Sequence, residues 1–439
     1  MHCGQVLPIL SECFLARNLI RGVKIYSMKI LVVCQFYYPE QFRITDICEE
    51  LVKRGHEVTV LTGLPNYPEG YVLKDYKNGK KRDEIINGVK VHRCFEIGRR
   101  KNVIFRVLNY YSFALSAKRY AKRLKEEFDV VLVNQLSPIM MANAGIAYKK
   151  KHGVKLVMYC LDLWPASLSA GGIGSKSIVH KYFKKVSEKI YKQADKLLIT
   201  SKRFAQYFEQ EFGMVDNIEY LPQYSEEMFS PDNCKKEQSK EIDLLFAGNV
   251  GSAQSMDTIL DCAKITADIS NLTYHIVGDG SELQRCRKRA ESESINSVVF
   301  YGRKELNEMP DYYKKADAML VTLVDDANLA RTLPGKVQTY MAAGKPIIGC
   351  ANGETSDIIL DAGCGYCSKA QDAFCMAENV RALCVDKENG RLEQFGKLAR
   401  KYYEDNFSKQ IFFEKLESVL KQYSSEKESN KVHDESSSN

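Results

Sequence analysis

The chain has 439 residues, 45% hydrophobic and 27% charged, with 63 Lys and Arg against 56 Asp and Glu. This is the composition of a globular protein long enough for two domains of roughly 200 residues, and no apolar run approaches the ~18 residues that cross a bilayer. Its fourteen cysteines are scattered through apparent strands and helices without metal-ligand pairs, which argues against a disulfide framework and for reduced thiols.

Residues 1–27 form a leader, apolar from Val6 to Ile20 but broken by Glu12 and Arg17, without the order of a signal peptide. We place the leader outside the fold. The segment Met28-Lys-Ile-Leu-Val-Val33 then reads as a first buried strand. Further strands are predicted over 57–61, 89–94, 130–133, 155–159 and 196–199, with amphipathic helices between them. Ile44–Arg54, stopped by Gly55 and followed at once by a strand, is a tight helix-to-strand connection. Such alternation predicts an α/β fold with a doubly wound parallel sheet.

A lysine-rich connector over 225–240 precedes a second series of strands at 242–247, 272–277, 298–301, 318–321 and 346–349. We therefore expect an N-terminal Rossmann-like domain over 28–224 and a C-terminal one over 241–397. A helix over 398–423 is expected to cross back to the first domain, and 424–439 to form a polar disordered tail. Charge is unevenly divided: 28–220 hold 33 Lys and Arg against 20 Asp and Glu, whereas 221–439 hold 27 against 35. A basic excess confined to one domain favours an anionic membrane surface, while the lack of aromatics interleaved with the basic clusters disfavours nucleic acid.

The most informative stretch is Arg331-Thr-Leu-Pro-Gly-Lys336, followed by a small-residue helix and a buried strand. Pro334 and Gly335 permit a tight turn, the free amides of the helix start can face an anion, and Lys336 adds a positive charge. An ordinary helix-to-strand connection with a solvent-facing lysine is the competing interpretation. Glycines also end two strands, in Phe246-Ala-Gly-Asn-Val-Gly251 and Ile276-Val-Gly-Asp-Gly280. They let a ligand approach the backbone at the carboxyl edge of the sheet. Neither a Gly-x-Gly-x-x-Gly turn after the first strand nor a Walker A loop is present.

In this order and spacing, Phe246-Ala-Gly-Asn-Val-Gly251, Val277-Gly-Asp-Gly280, Tyr301-Gly-Arg303, Ala316-Asp317 and Tyr340-Met-Ala-Ala-Gly-Lys-Pro346 resemble the GT-B glycosyltransferases of family 4. In the first domain Tyr38-Pro39, Gly55-His-Glu-Val-Thr-Val60, Pro65-Asn-Tyr-Pro-Glu-Gly70 and Asp162-Leu-Trp-Pro165 resemble the bacterial branch that builds O-antigen, capsule and colanic-acid type polysaccharides. The resemblance covers about residues 28–423. It implies two Rossmann-like domains facing a central cleft, with a nucleotide-diphosphate sugar, UDP-linked, on the second domain and an acceptor on the first. It further implies transfer with retention of anomeric configuration, and neither cofactor nor metal.

Donor-binding candidates are Gly248, Asn249, Gly251, Gly278, Arg303, Thr332, Leu333, Pro334, Gly335, Lys336 and Thr339, with Arg303 and Lys336 also stabilising the departing diphosphate. Asp162, just past a strand, is the catalytic candidate of the first domain: it could take the acceptor's proton, orient its hydroxyl or support charge on the sugar, against the alternative of a loop hydrogen bond. Arg43 and Trp164 are acceptor-binding candidates, with an exposed helix-start arginine and a packed indole as the alternatives. Two glutamates common in the family are Arg331 and Thr339 here, and an Arg and a Lys after the first strand of the nucleotide domain are Asn249 and Gln254. The expected protein is a cytoplasmic glycosyltransferase, peripheral on the cytoplasmic face of the cell membrane, moving a sugar of hexosyl or N-acetylhexosaminyl type to a lipid-diphosphate-linked saccharide. The alternatives are a nucleotide-sugar epimerase of the same architecture and a degenerate, non-catalytic partner subunit.

Overall fold

The structure, a computed structural model, describes residues 27–100 and 102–436. All but the last residue of the expected leader thus lies outside the described residues. The chain divides into two compact units, the first running to Ile199 and adding Phe212–Glu219 and the segment from Leu416, the second comprising Thr200–Glu211 and Tyr220–Lys415.

The first unit is built on strands β1 (Lys29–Val33), β2 (Glu57–Thr62), β3 (Asp83–Ile86), β4 (Val89–Arg93), β5 (Val130–Gln135), β6 (Lys155–Cys160), β7 (Lys196–Ile199) and β8 (Ile218–Tyr220). Their order is β3-β4-β2-β1-β5-β6-β7-β8. The ladders from β4 to β7 are parallel, and β3 joins β4 antiparallel. Central strands covered by helices on both faces must be apolar throughout, and β5 is buried at every position. Val32 of β1 sits in register with Val60 on one side and Leu132 on the other. The crossover helices are α1 (Arg43–Lys53), α2 (Val103–Arg123), α3 (Asn143–His152) and α4 (Ile178–Tyr191). Helix α1 buries Ile44, Ile47, Cys48 and Leu51 at helical spacing and stops at Gly55, whose φ is 95°. Strand order reverses between β1 and β5, so the loops after them open a crevice at the carboxyl edge.

The second unit carries α5 (Arg203–Phe212) and an all-parallel sheet of β9 (Ile242–Ala247), β10 (Leu272–Val277), β11 (Val298–Gly302), β12 (Ala318–Thr322), β13 (Ile347–Cys350) and β14 (Gly365–Ser368), in the order β11-β10-β9-β12-β13-β14. Its other helices are α6 (Met256–Ile265), α7 (Leu283–Ser292), α8 (Met309–Lys315), α9 (Gly335–Ala342), α10 (Glu354–Asp361), α11 (Ala373–Glu388) and α12 (Arg391–Asn406). Alternation along β9 sends Ile242, Leu244 and Phe246 to the core on one face and Leu245 and Ala247 to the core on the other. Here the order reverses between β9 and β12.

All eleven predicted strands are present, and the three unforeseen ones are short. Two expectations about chain organisation need correction. The first is the boundary at 224, because Thr200–Glu211 already belongs to the second unit. There Glu354 accepts the amides of Lys202 (3.0 Å) and Arg203 (3.1 Å) at the start of α5, a carboxylate placed at a helix N-terminus. The second is the single helix over 398–423, which is divided: α12 ends at Asn406, Phe407 turns into the core, and α13 (Lys409–Ser436) begins behind Ser408. From Leu416 onward α13 is part of the first unit, where Glu417 pairs with Arg54 (3.0 Å) and His56 (2.9 Å). Of the tail expected over 424–439, helix α13 takes in the residues to Ser436, and 437–439 lie outside the described residues.

The connector over 225–240 is not a free linker either. Lys236 pairs with Asp243 (2.6 Å) and Asp317 (2.5 Å), fastening it to the base of the second sheet.

Candidate active site

At the reversal point of the second sheet, β9 ends in Gly248, whose φ of 141° suits only glycine. Its amide donates to Val277 O at 2.9 Å, and a Cβ on Gly278, itself at φ 145°, would stand 1.7 Å from Gly248 O. Two backbones therefore touch where each strand ends. The Asn249 amide folds over the loop, filling the space a Cβ on Gly251 or Gly280 would need. Tyr340 of α9 locks the end of β9 from below: its hydroxyl donates to Ala247 O and accepts from Ala247 N, both at 3.0 Å.

Lys336 lies one turn before Tyr340 on the same helix face and reaches this loop. Its ammonium stands 3.8 Å from the centre of the Phe246 ring and donates to Gln254 Oε1 at 2.5 Å. A Cβ on Gly248 would be 3.4 Å from it. No carboxylate neutralises this charge among the described residues. Desolvation accordingly pulls its pKa from 10.5 down to about 7. Gln254 is held in turn, since Thr322 donates to its carbonyl and its own amide donates to Gly251 O at 3.0 Å. A cation with no carboxylate partner among the described residues, set beside a glycine loop and a helix start, suits an anion.

Gly248, Asn249, Gly251, Gly278 and Lys336 are thus brought together. Arg303 follows Gly302, whose carbonyl accepts the Gly278 amide at 2.9 Å, so it stands at the same sheet edge, exposed and without an ion pair among the described residues. Pro334 and Gly335 form the turn into α9 as expected from the sequence. For three donor candidates the structure shows where the side chain is engaged. Leu333 packs in the core and offers only its main chain. Thr332 and Thr339 donate their hydroxyls to Asn328 O (2.9 Å) and Gly335 O (3.1 Å), so local backbone acceptors take the protons. Arg331 faces α5, donating to Gln210 at 3.2 Å and lying over the Tyr207 ring, while its carbonyl accepts from Ser201.

In the first unit Asp162 follows β6, half-buried, and accepts a hydrogen bond from Ser137, which also meets Ser167 at 3.0 Å. Arg43 is the first residue of α1, half-buried. Trp164 is a correction: it is 4% exposed and packs edge-on against Phe183 at 5.5 Å, so the indole supports the loop instead of meeting an acceptor.

Sequence reading missed a buried polar cluster at the same carboxyl edge. Glu96 accepts from Gln35 (2.7 Å) and Asn109 (2.5 Å), and Glu40 accepts the amides of Asn66 (2.8 Å) and Tyr67 (2.7 Å). Burial pushes Glu96 up to about 8 and Glu40 up to about 7. Nothing in the spacing of these residues links them, although Gly63 could have signalled close packing: a Cβ there would stand 1.8 Å from Glu96 Oε2. Tyr340 and Gln254 were missed as well, and the four-residue interval from Lys336 to Tyr340 was the available signal.

Two Rossmann-like units, the second with glycine turns and a lysine where its strand order reverses, define the GT-B fold. Comparison with known proteins narrows this. The model for Glycosyltransferase Family 4 matches residues 42–223 and that for Glycosyl transferases group 1 matches 232–402. The chain belongs to the family 4 type of GT-B glycosyltransferases. It is 25% identical over 430 residues to the putative colanic acid biosynthesis glycosyl transferase WcaI of Escherichia coli K12, covering 90% of this chain and 98% of that one. Among solved structures it resembles sucrose-phosphate synthase of Thermosynechococcus elongatus (TM-score 0.69, 14% identity, 90% and 98% of the two chains). It also resembles Anabaena HepE in complex with UDP-glucose (TM-score 0.64, 13% identity, 90% and 100%).

Proposed function

We propose that the chain transfers a hexose or N-acetylhexosamine from a UDP-sugar to a lipid-diphosphate-linked saccharide in the synthesis of a cell-surface polysaccharide. The observation that carries the donor half is the Lys336 ammonium, uncompensated by any described carboxylate and set against Gly248 where β9 ends. The UDP-glucose complex of HepE and the polysaccharide role in the name of WcaI support the choice of donor and product class.

In this scheme Lys336, Arg303 and the amides that open α9 take the charge that grows on the departing diphosphate, without a metal. The bond from the anomeric carbon to the β-phosphate oxygen breaks, a bond to the acceptor oxygen forms on the same face of the sugar, and the acceptor's proton leaves with the diphosphate. Asp162, held by Ser137, orients the acceptor hydroxyl. Asp162→Asn then keeps UDP affinity within about twofold while turnover falls by roughly 100-fold or more.

A second possibility, a degenerate partner subunit, is favoured by one observation: Arg331 and Thr339 stand at the positions of the family's paired glutamates and are bound to their own unit. Incubation with a panel of nucleotide sugars in EDTA, with and without a short prenyl-diphosphate-sugar acceptor, separates these. Nucleoside diphosphate released only with acceptor supports transfer. An altered sugar without acceptor would mean an epimerase, and silence across the panel would mean a degenerate subunit.

A further inference from the structure

Helices α2 and α4 of the first unit each present an outward stripe of the same design. On α2 it runs Ile104, Leu108, Tyr111, Leu115, Lys118, Lys122, at alternating intervals of four and three. On α4 it runs Ile178, Tyr182, Lys185, Lys189 and, at the C-cap, Lys192, at the same intervals. Both stripes are apolar in their first half and basic in their second. The Tyr111 and Tyr182 hydroxyls interact across the two helices, so the apolar halves lie side by side. Further along, Lys118 and Lys122 line one groove with Lys189 and Lys192, joined by Lys150 and Lys151 of α3, in a volume of about 930 Å³.

A solvated helix face explains neither half of this pattern. Ile178 is 85% exposed and Ile104 65% exposed, with Leu108 and Leu115 also exposed along the same ridge. Contiguous exposed aliphatic side chains next to a cationic patch mark an interaction surface. Six lysines on one groove repel each other; Lys192 is relieved by Glu188 at 2.7 Å, but Lys118, Lys122, Lys150 and Lys189 have no acidic partner among the described residues. Their field asks for a dense array of negative charge, and the adjoining apolar ridge asks for a non-aqueous phase. An anionic bilayer supplies both in one plane, with headgroups for the lysines and the acyl boundary for Ile104, Leu108 and Ile178. Nucleic acid would satisfy only the lysines, and a second copy of this basic face only the apolar ridge.

We propose that the face formed by α2, the basic end of α3 and α4 docks the protein on an anionic phospholipid surface. The proposal does not rest on the identity of the sugar donor or acceptor. It is tested by co-sedimentation of the full chain with phosphatidylcholine vesicles, with and without phosphatidylglycerol, over a range of salt. The parent binds the anionic vesicles far better than the neutral ones, and salt weakens binding.

Lys118→Gln/Lys122→Gln/Lys189→Gln lowers the partition coefficient roughly 100-fold, near fivefold for each lysine. Ile104→Ser/Leu108→Ser/Ile178→Ser lowers binding roughly tenfold or more, including at high salt where the lysines are screened. UDP affinity, measured on the same preparations, stays at the parent value in both variants, so loss of docking is separable from loss of the donor site. Equal binding to neutral and anionic vesicles would overturn the proposal, as would vesicle binding by either variant equal to the parent. So would duplex DNA retained in a lysine-dependent way with no vesicle binding, or a dimer that the serine variant dissolves while vesicle binding persists.

Discussion

Replacing Lys336 by Met leaves the length and apolar contact of the side chain over Phe246 but removes its charge. Burial lowers the lysine from 10.5 to about 7, which corresponds to at most ~5 kcal/mol against the ammonium. Residual solvent contact of this half-buried side chain reduces that to roughly 2 kcal/mol. The unfolded chain holds the proton up to its ordinary pKa near 10.5, and the native protein only to about 7. The native state is therefore burdened below about pH 7 and relieved as pH rises toward the unfolded value, so stability increases with pH across that window.

Lys336→Met removes the burden. The second unit should gain ~2 kcal/mol at neutral pH, or ~4–8 °C in melting temperature, and lose that part of its pH dependence. UDP affinity should move the other way, falling ~10–150-fold with the loss of one charge-assisted phosphate contact. In the parent protein, UDP binding should weaken toward tenfold per pH unit above about pH 7, because the bound state requires the proton that the free lysine gives up. Lys336→Arg should abolish that slope, since a guanidinium stays charged. Calorimetric titration with UDP in EDTA, paired with thermal unfolding, reads both. A Met variant that binds UDP like the parent, or that is less stable, would refute the reasoning.

Gly278→Ala should unfold the glycine loop: its Cβ would meet Gly248 O at 1.7 Å with φ at 145°, a cost of roughly 2–4 kcal/mol that urea titration would register. Glu96→Gln should raise first-unit stability by ~1–3 kcal/mol above about pH 8. The parent's buried carboxyl, raised from 4.5 to about 8, favours the folded state below its unfolded pKa and loses that advantage as pH climbs through the folded value. Urea unfolding at acid and alkaline pH should show the parent's decline flattened in the variant. Gln254→Ala should free the Lys336 ammonium and weaken UDP binding by less than Lys336→Met does; an equal or larger loss would mean that Gln254 itself contacts the ligand.

What the sequence revealed depended on periodicity and glycine. Central strands such as β1 and β12 are nearly continuous apolar runs, and their predicted ends lie within a residue of the structure. Strand β3, Asp-Glu-Ile-Ile, escaped because an edge strand need not be apolar. Strand β14, Gly-Tyr-Cys-Ser, escaped for the same reason, as an edge strand with only its last residue fully buried. The anion cradle was legible in part: glycines and Lys336 are local signals. The Phe246 ring beneath the lysine, the Tyr340 clamp and the Gln254 partner arise only once β9 and α9 are packed together. Side-chain direction was the hardest property to foresee. Trp164 and Leu333 lie in loops expected to carry ligands, yet burial of their apolar surface turned both inward.

The central claim is that the donor's diphosphate sits where β9 ends, against Lys336. A crystal structure of the full chain grown with UDP tests this most directly. It should show a phosphate oxygen within roughly 3 Å of Lys336 Nζ and of an amide in the 248–251 loop. Diphosphate density elsewhere in the second unit, with Lys336 still bound only to Gln254, would contradict it.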